Sequence, residues 1–166
     1  MKKLLVLASM AIVFTSCFSQ GERKRASPHE TVSNDNVSVT YGRPYKKGRV
    51  IFGELEKYGK VWRTGADEAT EITFKKDGLF GGKPVKAGTY TLFTIPNPDE
   101  WTIILNSELN QWGAYNYEKI KHKNVLEIKA AAKKTETVIE QLTISLDDGS
   151  MTIAWDQTAV VIPMEF

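Results

Sequence analysis

One cysteine, two histidines and a single long apolar run are all this 166-residue chain offers, and each scarcity removes a class of explanation. With Cys17 alone there is no disulfide framework, so a folded domain must be held by apolar packing. His29 and His122 stand outside any metal-ligand spacing, and His122 sits inside the basic run Lys121-His122-Lys123. Both are therefore expected at the surface, with no metal site. Glycine-rich phosphate loops and nucleophile elbows are missing, no cysteine follows Cys17, and no cofactor is expected. The apolar run, residues 4–14, is too short to span a bilayer comfortably.

That run reads as an address. Lys2-Lys3 form a positive n-region, residues 4–14 the apolar h-region, and Phe14-Thr15-Ser16-Cys17 the end. Small residues before a cysteine resemble the lipobox of bacterial lipoproteins, in which the cysteine is acylated and becomes the new N-terminus. The expectation is a signal peptide over residues 1–16, a lipidated polar tether over 17–30 and one domain over 31–166. The alternative is ordinary cleavage after Ser19, giving a soluble periplasmic chain. The segment after Cys17 lacks the acidic patch of surface-exported lipoproteins, which places the anchored protein on the periplasmic face of the envelope. Processing takes Lys2 and Lys3 from the 22 basic residues and leaves 20 facing 20 acidic ones. A formally neutral mature chain gives no electrostatic case for nucleic acid. The membrane, reached through the anchor, is the expected partner, and the basic cluster Arg23-Lys24-Arg25 reads as a solvated linker.

The rest of the chain alternates with period two. Val37-Ser38-Val39-Thr40-Tyr41 and Glu71-Ile72-Thr73-Phe74-Lys75 read as half-buried strands. Trp101-Thr102-Ile103-Ile104-Leu105 is apolar on both faces and reads as a central strand. Leu142, Ile144 and Leu146, then Asp147-Asp148-Gly149-Ser150, then Met151, Ile153 and Trp155 predict a hairpin. Val160, Ile162, Met164 and Phe166 predict a last strand, with Pro163 placing it at an edge. Short helical turns are predicted over 51–58 and 112–119. Eight or nine strands with turn chemistry between them predict an all-β fold, an antiparallel β-sandwich of jelly-roll or Greek-key type.

Residues 41–70 concentrate Arg43, Arg49 and Arg63 among aromatic and glycine residues outside the alternating strands, as binding loops on a rigid scaffold do. Arginine offers a planar fork for anionic groups, Trp62 a stacking face, and Asp67 or Glu68 an acid, base or acceptor. Arg63, with Arg43 and Trp62 beside it, is expected to line the site. The competing reading pairs Arg63 with Glu68 or Glu71 and puts Trp62 in the core. Trp101 and Trp155 fall on strand faces and read as core. Trp112, in Asn110-Gln111-Trp112-Gly113, is the more plausible binding aromatic. The candidate ligand-binding residues are thus Arg43, Arg49, Trp62, Arg63, Glu68 and Trp112, and the ligand an anionic or carbohydrate small molecule. Without a nucleophile or a clear carboxylate pair, a non-catalytic binding or interaction domain is expected ahead of a hydrolase working through Glu68.

The longer motifs carry a resemblance. Val39-Thr40-Tyr41-Gly42-Arg43-Pro44, Tyr58-Gly59-Lys60-Val61-Trp62-Arg63-Thr64-Gly65-Ala66, Leu92-Phe93-Thr94-Ile95-Pro96 and Gln111-Trp112-Gly113 resemble the bacterial family called domain of unknown function 2911. The likeness runs from Ser27 onward and implies an exported protein with no established reaction. The family commonly has Asn where this chain has Asp67, which puts Glu68 ahead of Asp67 as a site carboxylate.

Overall fold

A computed structural model describes residues 24–166; the signal segment, Cys17 and Ser19 lie outside the described residues. The strands are β1 (His29–Ser33), β2 (Val37–Gly42), β3 (Glu71–Phe74), β4 (Gly78–Phe80), β5 (Lys83–Val85), β6 (Gly88–Ile95), β7 (Glu100–Asn106), β8 (Asn124–Leu146) and β9 (Ser150–Glu165). They form one antiparallel sheet in the order β1-β2-β3-β6-β7-β8-β9-β4-β5. The all-β antiparallel expectation holds.

β8 joins the two halves of the sheet. Its first part pairs with β7, from Asn124 opposite Asn106 to Ala131 opposite Glu100. Its second part pairs with β9, from Ala132 opposite Val160 to Leu146 opposite Met151. Around this shared strand the sheet folds back on itself. The segment continuing β2 runs beside the second part of β8, with Lys46 N–H donating to the Glu140 carbonyl (2.6 Å) and Leu142 N–H to the Pro44 carbonyl (3.0 Å). The Tyr41 hydroxyl accepts from Ile144 N–H at 3.0 Å, and Phe74 of β3 meets Phe80 of β4 at 5.4 Å between ring centroids. Such cross-contacts suit the two-layered packing of a sandwich.

The core lies between the folded halves. Val37, Val39 and Tyr41 of β2, Trp101, Ile103 and Leu105 of β7, and Ile144, Ile153 and Trp155 of the β8–β9 hairpin are buried together. Phe52, Trp62, Trp101 and Trp155 form an aromatic group, with Trp62 stacked on Trp155 at 6.0 Å and Phe52 edge-on to Trp101 at 4.8 Å. A smaller cluster of Ala69, Phe93, Ile104 and Tyr117 covers the other side of β6 and β7. That second cover explains why β7 is apolar on both faces.

Four local expectations change. Residues 51–58 form turns without a helix, because Gly53 (φ 92°) and Gly59 (φ 70°) break the path while Ile51 and Phe52 turn inward. Over 112–119 the chain turns before α1 (Tyr117–Ile120) begins; a 3₁₀ turn, Lys121–Lys123, follows it. The two C-terminal runs are one strand, β9. Asp156 takes φ 53° between them and the pairing with β8 shifts there, which moves the buried positions from Met151, Ile153 and Trp155 to Val160, Ile162 and Met164. The edge position expected from Pro163 does not hold: β9 lies between β8 and β4, and Pro163 is accommodated beyond the last β8 pairing, Ala132 opposite Val160, where its carbonyl accepts from Gly81 N–H beside β4.

Candidate functional site

The densest polar chemistry gathers where residues 62–70 fold against the end of the sheet. Trp62 pairs with Thr94 of β6 as an antiparallel bridge, and its indole N–H donates to the Gly65 carbonyl at 3.2 Å. Thr64 then takes φ 56°, a left-handed conformation costly for a β-branched residue. Its hydroxyl donates to the Thr94 hydroxyl, and its carbonyl accepts from the Thr70 hydroxyl at 2.8 Å. Ala66 N–H donates to the Gly42 carbonyl. Here the loop and β2 touch backbone to backbone: a Cβ on Gly42 would stand 2.0 Å from the Ala66 carbonyl oxygen. A second strap holds the far side, with Ala69 N–H donating to the Gln111 carbonyl and Gly113 N–H to the Asp67 carbonyl.

This folding presents Asp67 and Glu68 to the N-terminal segment. Asp67 Oδ2 accepts from the backbone N–H groups of Ala26 (2.9 Å) and Ser27 (3.1 Å). Glu68 takes the Arg25 guanidinium, Nε lying 2.8 Å from Oε1 and Nη2 also 2.8 Å from it. His29 Nδ1 stands 3.8 Å from Glu68 Oε2. Asp67 itself sits at φ 63°, a conformation that Asn and Asp adopt more readily than other side chains. An Asn there has the same backbone freedom and an acceptor oxygen for the same two N–H groups, so the family's Asn and this chain's Asp meet one local demand.

Beside this clamp lies a cleft of about 210 Å³, walled by Arg25, His29, Thr40, Glu68, Ala69, Glu71, Asn110 and Gln111. Glu71 Oε1 accepts from Asn110 N–H at 2.9 Å, which holds the 110–111 corner, with Asn110 at φ 59°. Thr40 shares a hydroxyl hydrogen bond of 2.8 Å with Thr31 across the β1–β2 pair. Two carboxylates, two amides, a hydroxyl, an imidazole and the Arg25 guanidinium, which is paired with Glu68, therefore meet in one small concavity.

Of the sequence candidates, only Glu68 is among these walls. The Arg43 fork is used within the fold: Nε donates to the Leu142 carbonyl (3.0 Å), Nη1 to Glu30 Oε2 (2.7 Å) and Nη2 to the Thr143 hydroxyl (3.1 Å). Arg49 donates to the carbonyls of Lys46 and Tyr45 and lines a separate cleft of about 380 Å³ beside Ala26, Ser27 and Pro28. Trp62 is buried in the aromatic group and offers no stacking face. Arg63 Nε donates to the Gly65 carbonyl at 3.1 Å, and Trp112 is half-buried, bridged through its backbone to Glu68.

Glu56 had no mark in the sequence. It sits half-buried after the 51–55 turn, and burial pushes its carboxyl up from 4.5 to about 7 despite the opposing pull of Arg63 and Arg49. His29, Glu71 and Asn110 were not among the ligand-binding candidates, because the contacts that bring them to the cleft join residues tens of positions apart.

A family model described as "Protein of unknown function (DUF2911)" matches residues 24–164. No curated protein and no solved structure matches.

Proposed function

The chain belongs to the DUF2911 family, which carries no assigned activity, and we propose that it is an exported, lipid-anchored envelope protein whose domain binds a small carbohydrate in the Glu68–Glu71 cleft. The carrying observation is the makeup of that cleft. Paired carboxylate, amide and hydroxyl groups give planar and bent acceptors and donors suited to a ring of hydroxyls, and they disfavour a free anion. The anionic alternative depended on arginine forks, yet that of Arg43 is bound to Glu30, Leu142 and Thr143, and Arg25 already faces Glu68. A volume of about 210 Å³ falls below the roughly 300–1,000 Å³ typical of drug-sized ligands, which suits one sugar ring. Export and anchoring are supported by the charged and apolar leader that ends at the lone Cys17.

Two experiments test the reading. Monosaccharides and short oligosaccharides are titrated against the protein by ligand-observed NMR. Binding is expected for wild type and lost in Glu71→Gln, whereas Arg25→Gln, which frees Glu68, should bind at least as well. If phosphate or sulfate binds and no sugar does, the carbohydrate assignment is wrong; a sugar that is cleaved would assign hydrolysis instead. For the anchor, wild type and Cys17→Ser are compared by detergent partitioning. Equal solubility with a common start at Gln20 would remove lipidation.

A further inference from the structure

Residues 44–60 form a long connection on the outside of the sheet, and their composition differs from that of the rest of the surface. Among the described residues, eight large apolar side chains are exposed, and Tyr45, Val50, Leu55 and Tyr58 are four of them. They are close in space as well as in sequence. Leu55 N–H donates to the Val50 carbonyl at 3.3 Å, and the Tyr58 ring lies over Gly53, where a Cβ would meet it at 2.8 Å. Between them stand exposed Lys47, Arg49, Lys57 and Lys60. The acidic residues of the segment are Glu54, paired with Lys57 at 3.5 Å, and the half-buried Glu56. In a mature chain of balanced charge, this is a local basic excess interleaved with aromatic and aliphatic side chains. Such a mixture is what an interfacial membrane contact uses, apolar tips entering the headgroup layer and cations meeting anionic lipid.

The chain's own path says which partner fits. Ala26, Ser27 and Pro28 share one cleft with Pro44, Tyr45 and Arg49, and Arg43 N–H donates to the Pro28 carbonyl at 2.7 Å. The N-terminal segment therefore passes along this connection at residues 26–28, beside the Asp67–Glu68 clamp that holds Arg25, Ala26 and Ser27. Eight residues lie between Cys17 and Ala26, which makes nine steps along the chain. At no more than about 3.3–3.6 Å each, they keep an acylated Cys17 within about 30 Å of the patch. We infer that the 45–60 connection is a second membrane contact, which lays this face of the domain on an anionic bilayer. The inference rests on the anchored reading above for its biological setting, and its contacts are independent of the lipid.

The test uses the chain from Phe18 onward, which is unlipidated and retains all nine strands. Its co-flotation is measured with vesicles of phosphatidylcholine alone or with 30% phosphatidylglycerol added, at low and high salt. Flotation is expected only with the anionic vesicles and at low salt. Lys47→Glu with Lys60→Glu should lower partitioning at least tenfold, and Leu55→Ser severalfold, with melting temperatures unchanged. The same charge reversal at Lys76 and Lys83 should change it much less. Failure to float with anionic vesicles, or equal losses from both pairs, overturns the inference; the second result would assign binding to the basic tether or to general charge. Wild type washed with 1 M salt separates the two readings. If it stays on membranes while the unlipidated chain never binds, the anchor stands and the second contact falls. If salt releases it while the loop variants matter, the reverse holds.

Discussion

Replacing Glu56 by Gln should stabilise the protein at neutral pH and leave it unchanged near pH 4. The carboxyl is raised from 4.5 to about 7 chiefly by burial, with Arg63 and Arg49 opposing the rise. The folded state therefore holds this proton more tightly than the unfolded chain does. As pH climbs from about 4.5 to about 7, the unfolded state ionises first and is favoured, so this group's contribution to stability falls across that window and is level above it. The gap corresponds to about 3 kcal/mol at most, which the residue's partial exposure reduces. Gln imitates the protonated acid and carries no such titration. Urea unfolding of both chains at intervals from pH 4 to pH 8 isolates the effect, because every other ionisable group cancels in the difference. Glu56→Gln minus wild type should be near zero at pH 4 and rise through pH 5–7 to a plateau of one to about 3 kcal/mol. A difference that is flat with pH, or that favours wild type at pH 8, would show that the electrostatic pull of Arg63 and Arg49 outweighs burial.

Tyr41→Phe removes the hydroxyl that accepts from the buried Ile144 N–H, and should cost about 1–3 kcal/mol by denaturant unfolding, with Phe filling nearly the same volume. An unchanged midpoint would mean that Ile144 N–H finds another acceptor. Gly42→Ala places a methyl against the Ala66 carbonyl, a backbone group that cannot swing aside, so a loss of at least about 1–3 kcal/mol is expected, together with weakened binding in the Glu68 cleft. Retained stability and binding would show that the 62–70 loop can shift without disturbing the clamp.

Period-two alternation made β2, β3 and the β8–β9 turn legible before any contact was known, and an apolar run made β7 legible. The first part of β8 does carry alternation, Leu126, Ile128 and Ala130 buried against exposed Glu127 and Lys129, but it runs into Ala130-Ala131-Ala132-Lys133-Lys134, a composition without strand character that hid the length of the strand. The joining of two runs into β9 was hidden by a single left-handed Asp156, which reverses the phase of the pattern. Site reading met a different limit. Glu68 stood out because it sits in a loop rich in Arg, Gly and Trp, but Arg43 stood out for the same reason and is engaged by Leu142 and Thr143, about a hundred residues downstream. Density of suggestive residue types locates a busy segment. It does not say which side chains the fold has already occupied, since their partners are fixed by long-range pairing.

The order in which strands are made is not the order in which they pair. The β4–β5 hairpin occupies residues 78–85, yet its strand neighbour in the sheet among the described residues is β9, whose contact residues Met164 and Glu165 lie about eighty residues further on. During synthesis this hairpin emerges before its partner exists, and β3 must wait for β6 across the same interval. Closure by the final strand makes folding a late and cooperative event, with the slow kinetics of non-local β topology. A nascent chain stopped a few residues short would leave the apolar side of Phe80 uncovered and an open strand edge beside it. Synthesis of β9 is therefore what lets the β4–β5 hairpin take its place in the sheet.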